Sequence, residues 1–218
     1  MIRRTRWSLA LLATLPLTLA GTLVAPAANA HSSETPGTKS LAKVLAADGQ
    51  RFDRSGRDYD ITDAAVGAVL AAKPDSAVAV LADGRTPVTA FLPNDRAFRT
   101  LAYDLTGRWY RSESRVFTRL ANQLGVETIE AVLLYHVVPG QTITYRAALK
   151  SDGAELATAL TDAKVTVDVR RNAEGHKVVR LLDLDPDSWN PKIVQPNINK
   201  GNRQIAHGIN RVLRPVNL

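Results

Sequence analysis

The spacing of apolar and polar positions divides the chain into a helical first half and a stranded second half. Leu41, Val44 and Leu45 share one face of a short helix over residues 40–47, with Ser40 as its N-cap. Ala65, Val66, Val69 and Leu70 form a stripe at three-four spacing. They predict a helix from a cap at Thr62 to Ala72, stopped by Pro74. Residues 77–81 (AVAVL) are a continuous apolar run that fits a buried strand and a helix end equally well, with a turn at 82–85 behind it. Residues 88–92 (VTAFL) predict a buried strand leaving at Pro93, after which Asn94 is placed to cap a helix that turns Ala97, Phe98 and Leu101 inward. A helix over 113–124 buries Val116, Phe117, Leu120 and Leu124 and ends at Gly125, and a further helix follows over 128–135.

From residue 141 the pattern changes to strands, over 141–143, 155–158, 164–169, 177–183 and 205–213. Gly175 marks a hairpin between the third and fourth. Helices first and strands later indicate an α+β domain, and no internal repeat is present.

The N-terminus changes the domain count. Arg3, Arg4 and Arg6 precede an apolar run over residues 9–24, and Ala28-Asn29-Ala30 has the small-x-small form of a cleavage site. Residues 1–30 are expected to be a secretory signal peptide, with a mature start near His31 and no stable membrane insertion, since Pro16 and Gly21 interrupt the run. Residues 31–40 are polar, carry Pro36 and Gly37, and read as a flexible linker to one domain over 41–218. The formal charge of +7 over the whole chain falls to +4 without the signal, with 25 basic against 21 acidic residues. The cations are scattered and not interleaved with aromatics, which argues against a nucleic-acid partner but leaves a salt-screened attraction to anionic wall polymers. There is no cysteine, so an exported domain must stand on its hydrophobic core without disulfides.

Three ordered blocks carry a resemblance. Residues 89–101 (TAFLPNDRAFRTL) read as a strand that breaks at Pro93 and restarts as a helix. Residues 133–140 (LLYHVVPG) read as an apolar strand that carries Tyr135-His136 and stops at Pro-Gly. Residues 201–215 (GNRQIAHGINRVLRP) read as a turn, a strand, a glycine and a second strand running to the C-terminus. In that order they resemble the first signature, the Tyr-His segment with the second signature, and the closing strands of the fasciclin (FAS1) domain family, over residues 41–216. The resemblance implies a β-sandwich or wedge with helices packed around it, in a secreted bacterial single-domain member. It implies extracellular adhesion through a cell-surface or matrix protein or glycan, with the protein either free or held at the cell wall, and no cofactor. The alternative it carries is an extracellular carrier of an apolar small molecule, a pigment or lipid.

Candidate site residues follow from chemistry and from this resemblance. His136 beside Tyr135 suits ligand contact or a general base, and equally a buried hydrogen bond in an apolar run. The resemblance makes Tyr135 and His136 interaction residues. Asn94 and Asp95 match the polar pair opening the family's first signature helix and read as capping residues. Asp183, Asp185, Asp187 and Asn190 have the opening spacing of a calcium loop. Ser188 and Val194 stand where its glycine and bidentate glutamate belong, so an acidic surface loop is expected and no metal site. Trp189 in that loop, and Trp109 and Tyr110 in the loop over 106–114, are candidate anchors for a glycan or protein. Catalysis has little to draw on. The histidines are His31, His136, His176 and His207, none in H-E-x-x-H spacing, and there is no G-x-S-x-G elbow, phosphate loop or Cys nucleophile.

Overall fold

Strand β1 (Val88–Pro93) is buried at all six positions, which is why it appears in the sequence as an unbroken apolar run. The computed structural model describes residues 35–48 and 52–218, and β1 lies at their centre. It pairs antiparallel with β2 (Val137–Pro139) and parallel with β7 (Gln204–Ile209), and β6 (Ile193–Ile198) closes a four-stranded mixed sheet in the order β2-β1-β7-β6. A second, antiparallel sheet is formed by β3 (Glu155–Ala157), β4 (Lys164–Arg171) and β5 (Lys177–Leu182).

Alternate residues of β1 serve different cores. Val88, Ala90 and Leu92 pack against α1 (Leu41–Leu45), α2 (Asp60–Ala72) and the 3-10 turn Ala77–Ala82. Phe91 faces the other way, into the layer where Val165 and Val167 of β4 and Val179 and Leu181 of β5 meet Ile209. A third core joins α2, α3 (Asp95–Thr106) and α4 (Glu113–Tyr135) through Ile61, Phe98, Leu101, Val116, Leu120 and Val132. The fold class is therefore α+β, as expected. Among the described residues no helix is long and apolar enough to cross a membrane.

Several boundaries differ from the sequence reading, each for a local reason. Helix α2 begins at Asp60, so Thr62 is inside it and its hydroxyl donates to Pro93 O at 2.8 Å instead of capping. Residues 77–81 are the 3-10 turn, started by the Ser76 hydroxyl accepting from Val78 N. Gly125 does end a run of α-helix, but at φ 72° and ψ 165° it kinks α4 and the helix resumes through Tyr135. The 133–140 segment is not one strand: Leu133–Tyr135 close α4, His136 turns, and only Val137–Pro139 are extended. Residues 141–143 are irregular, and the two closing strands expected over 205–213 are a single strand, β7, with Gly208 inside it. Strand β6 was not anticipated, because Pro196 interrupts it and Asn197 adopts a left-handed φ of 61°.

The chain is tied where irregular segments cross. Gln204, fully buried, accepts from Leu41 N at 2.8 Å and donates to Val80 O and Asp83 O at 2.7 and 2.8 Å. Gly37 exchanges backbone hydrogen bonds with Gly201 and Arg203, and Asn202 and Asn199 hold the backbone N–H and C=O of Lys39. The described part of the expected linker, residues 35–40, is thus bound to the turn before β7; residues 31–34 and the expected signal peptide lie outside the described residues. Gly84 makes this crossing possible, since a Cβ there would lie 1.8 Å from Thr38 O. His136 pins the pivot between α4 and β2. Its Nδ1 donates to Val132 O at 2.7 Å, and its Nε2 accepts from Leu213 N at 2.9 Å, which fixes the tautomer and holds the C-terminal segment.

Two variants test these ties. His136→Ala leaves the buried Leu213 N–H without its acceptor and should lower stability by about 1–3 kcal/mol. Gly84→Ala should cost about 1–3 kcal/mol by overpacking against backbone, and should speed proteolysis within 35–40. Denaturant melts and limited proteolysis read both; an unchanged melt for either variant would remove that residue's assigned role.

Candidate interaction surfaces

The structure separates the sequence-derived candidates into interior and surface groups. Tyr135 and His136 are interior, a correction to their reading as contact residues. Tyr135 is fully buried with its hydroxyl donating to Lys164 O at 2.8 Å, and both nitrogens of the buried His136 ring are engaged by backbone. Burial pushes the His136 imidazole down to about 4, so it is neutral over the physiological range. His207 is buried as well. Its Nε2 bonds Ile143 O at 2.9 Å, its Nδ1 accepts from Asn197 N at 3.2 Å, and its ring stacks on Phe91. Burial lowers its pKa also. Neither imidazole is free to serve as a base.

Trp109 and Trp189 are on the surface, 52% and 78% exposed. Trp109 stands in the loop between α3 and α4 and meets exposed Tyr103 edge-on, with centroids 6.4 Å apart. Tyr110 is half-buried against the helical core, with the Arg108 guanidinium 5.8 Å over its ring. A cleft of about 740 Å³ runs beside Trp109, lined also by Phe52, Arg54 and Arg111. Trp189 borders a smaller cleft of about 290 Å³ with Arg180 and Lys192.

The acidic loop holding Trp189 uses its carboxylates internally. Asp183 Oδ1 accepts from Asp185 N, Asp185 Oδ1 accepts from Asp187 N, and Asn190 Oδ1 accepts from Asp183 N, closing the loop. The buried Arg214 guanidinium bonds Asp185 Oδ2 at 3.1 Å and Asp104 Oδ2 at 2.5 Å, while Arg214 N donates to Asp183 Oδ2. The spacing that resembles a calcium loop is therefore a set of side chain–backbone turns anchored on one arginine.

A second acidic cluster was not seen in the sequence, since its members come from three separate stretches. Asp58, Asp95 and Glu113 place carboxylate oxygens within 4.8 Å of one another, at the N-termini of α2, α3 and α4. Asp95 was expected to stabilise its own helix. Instead its two oxygens accept from Ile61 N at 2.9 Å and Asp60 N at 3.3 Å, so it caps α2 from the first turn of α3. Fully buried Glu113 accepts from Asp53 N and pairs with Arg99, both at 2.6 Å. These donors account for the oxygens of Asp95 and Glu113, whereas Asp58 Oδ1 is buried without a hydrogen-bond partner among the described residues. Burial, with the neighbouring carboxylates adding to it, raises Asp95 to about 8 and Glu113 to about 7.

These shifts predict that stability falls as pH rises out of mild acid. Carboxyls raised in the folded state contribute fully below their unfolded values near 4, and that contribution is lost as pH rises through about 7 for Glu113 and about 8 for Asp95. His136 acts oppositely: its contribution is complete above 6.5 and is lost as pH falls toward about 4. The two carboxyl shifts together outweigh that of His136, so melting temperature should fall as pH rises from about 4 to about 8, and Asp95→Asn, which keeps one acceptor oxygen, should flatten that fall. An unaltered slope in that variant would show that Asp95 is already ionised in the fold.

A fasciclin domain profile matches residues 65–215. Among solved structures, the chain is similar to a FAS1 domain pair from the insect cell adhesion molecule fasciclin I, with a TM-score of 0.44 and 17% identity over 68% of this chain and 43% of that one. The chain thus spans less than half of that structure's length. Comparison with curated proteins returns no match. On the profile match, which spans most of its length, the chain belongs to the fasciclin domain family.

Proposed function

We propose that the protein is a secreted, non-enzymatic fasciclin-domain module that adheres to cell-surface or matrix partners by surface contact. The observation that carries this reading is the placement of Trp109 and Trp189. Both are large apolar rings exposed on loops beside arginine-bearing clefts, while the histidines His136 and His207 are locked in the interior. An exposed ring with cations beside it provides contact area at small entropic cost, the composition of an anchor residue. The family's association with cell adhesion and the signal-like N-terminus point the same way.

Carriage of a pigment or lipid finds less support. The apolar cavity lined by residues of α2, α3 and α4 holds about 40 Å³, against roughly 300–1,000 Å³ for ligand pockets. Such a cargo would require these helices to part.

Expressed with its own N-terminus, the protein should be exported and begin at His31, which N-terminal sequencing checks. Immobilised, it should retain a defined protein or glycan from the producing organism's envelope at about 0.15 M salt, where longer-range charge attraction is screened. Trp109→Ala and Trp189→Ala should each melt within about 0.5 kcal/mol of the parent, and at least one should weaken retention about tenfold, on the order of 1.4 kcal/mol. Retention of nothing at that salt would sink the adhesion reading, and uptake of an apolar dye would then favour the carrier.

A further inference from the structure

Two of the surface clefts form one groove. The cleft bordered by Trp189, Arg180 and Lys192 shares Asn210 and Arg211 with a neighbouring cleft of about 590 Å³ that continues to Arg96 and Arg57. Five cations therefore line a continuous surface with an exposed tryptophan at one end, and no acidic residue is among its lining residues. Arg180 lies 3.4 Å from Asp168 and Arg211 lies 3.9 Å from Asp104. Arg57, Arg96 and Lys192 form no ion pair among the described residues.

The fold builds this groove from rigid parts. An isolated bridge pairs Arg180 of β5 with Lys192, just ahead of β6, so the seam between the two sheets sets two cations side by side. Lys192 N is held by Asn210 Oδ1 at 2.8 Å, and Leu181 N donates to Pro191 O at 2.9 Å, which fixes the chain on which Trp189 stands. Beyond β7, Asn94 N donates to Ile209 O, bringing the start of α3 beside Arg211. Arg96 N donates to Gly56 O, which places Arg57 at the far end.

We infer that this groove binds an acidic polysaccharide, a chain of carboxylate-bearing sugars stacked on Trp189 at one end and paired with the arginines along its length. This deepens the adhesion reading and rests on it. A pyranose ring presents an apolar face of C–H groups that fits one indole. The repeated carboxylates meet planar guanidinium forks, which bind them bidentately, and four of the five cations are arginines. A single-stranded nucleic acid would instead want several aromatics in succession, and the groove has one. The edge strand β6 adds exposed Val194 and Gln195, an apolar and an amide contact suited to sugar rings and hydroxyls.

Titration calorimetry of the exported protein with oligogalacturonate at about 0.15 M salt tests this. The same oligomer fully methyl-esterified, dextran sulfate and duplex DNA are run beside it. Binding of the acid and not of the ester is expected. Trp189→Ala, Arg96→Gln and Lys192→Gln should each weaken it about tenfold with unchanged melting, whereas Lys43→Gln, on α1 and outside the groove, should not. Equal binding of the ester, displacement by dextran sulfate or DNA with no effect of Trp189→Ala, or groove variants no weaker than Lys43→Gln would overturn the inference. Envelope retention measured on the same samples keeps the two readings apart. Retention without oligogalacturonate binding removes the groove assignment alone, while retention of nothing removes adhesion itself.

Discussion

The parallel pairing of β1 with β7 is the constraint on which the rest of the architecture depends. It joins Val88–Pro93 to Gln204–Ile209 in register, position by position, so the last strand lies against one from the first half of the chain. Parallel neighbours cannot be joined by a tight turn, and everything between residues 93 and 204 is in effect one long crossover. Both strands are buried at every position, so helices must cover one face of the sheet and the second sheet the other. The same register sets Ile209 opposite Pro93 and thereby brings Asn210 and Arg211 to the N-terminus of α3. The cationic groove is a consequence of that register.

A sheet covered on both sides obliges the chain to satisfy polar groups wherever irregular segments cross its ends. Four of the residues that do so are placed at crossings. Gln204 serves α1 and the 3-10 turn, His136 serves the segment after β7, Asp95 serves the start of α2, and Arg214 collects the acidic loop. Each is a side chain whose loss would leave a buried backbone donor or acceptor, or a buried charge, without a partner. This explains why polar residues of conspicuous chemistry are structural here. An imidazole with both nitrogens on backbone, pushed to neutrality by burial, has neither a free lone pair nor a proton to offer.

Much of this was legible in the sequence, and the reasons differ by element. Apolar continuity found β1, three-four spacing found α2 and α3, and Asn94 gave the start of α3 because its cap is a local interaction. Strand β6 was illegible because its pairing with β7 is bulged twice and an edge strand tolerates Pro196. The strand expected through Tyr135-His136 failed because a helix end and a strand buried in the same core have the same composition. The candidate sites divided along one line. Exposed Trp109 and Trp189 were found, since a large apolar ring in a polar loop is itself a signal. The acidic cluster and the groove were not, because the first is assembled from three stretches between residues 58 and 113 and the second from stretches between residues 56 and 211, and no local spacing rule spans those distances.

The distribution of charge bears on how such a fold can acquire a partner. A net charge of +4 spread over residues 31–218 would give only a weak, screened field. What concentrates it is the seam between the sheets, where Arg180 and Lys192 are bridged by backbone, and the β1–β7 register, which adds Arg211 and Arg96. On the opposite account, Asp183 and Asp185 lie close by in sequence to Trp189, yet both face inward to Arg214 and add no acid to the lining of the groove. The internal ion pair therefore has an external consequence. By holding Asp183 and Asp185 inward, Arg214 keeps two of the loop's carboxylates out of the groove lining, and a loop of acidic sequence comes to border a surface suited to an acidic ligand.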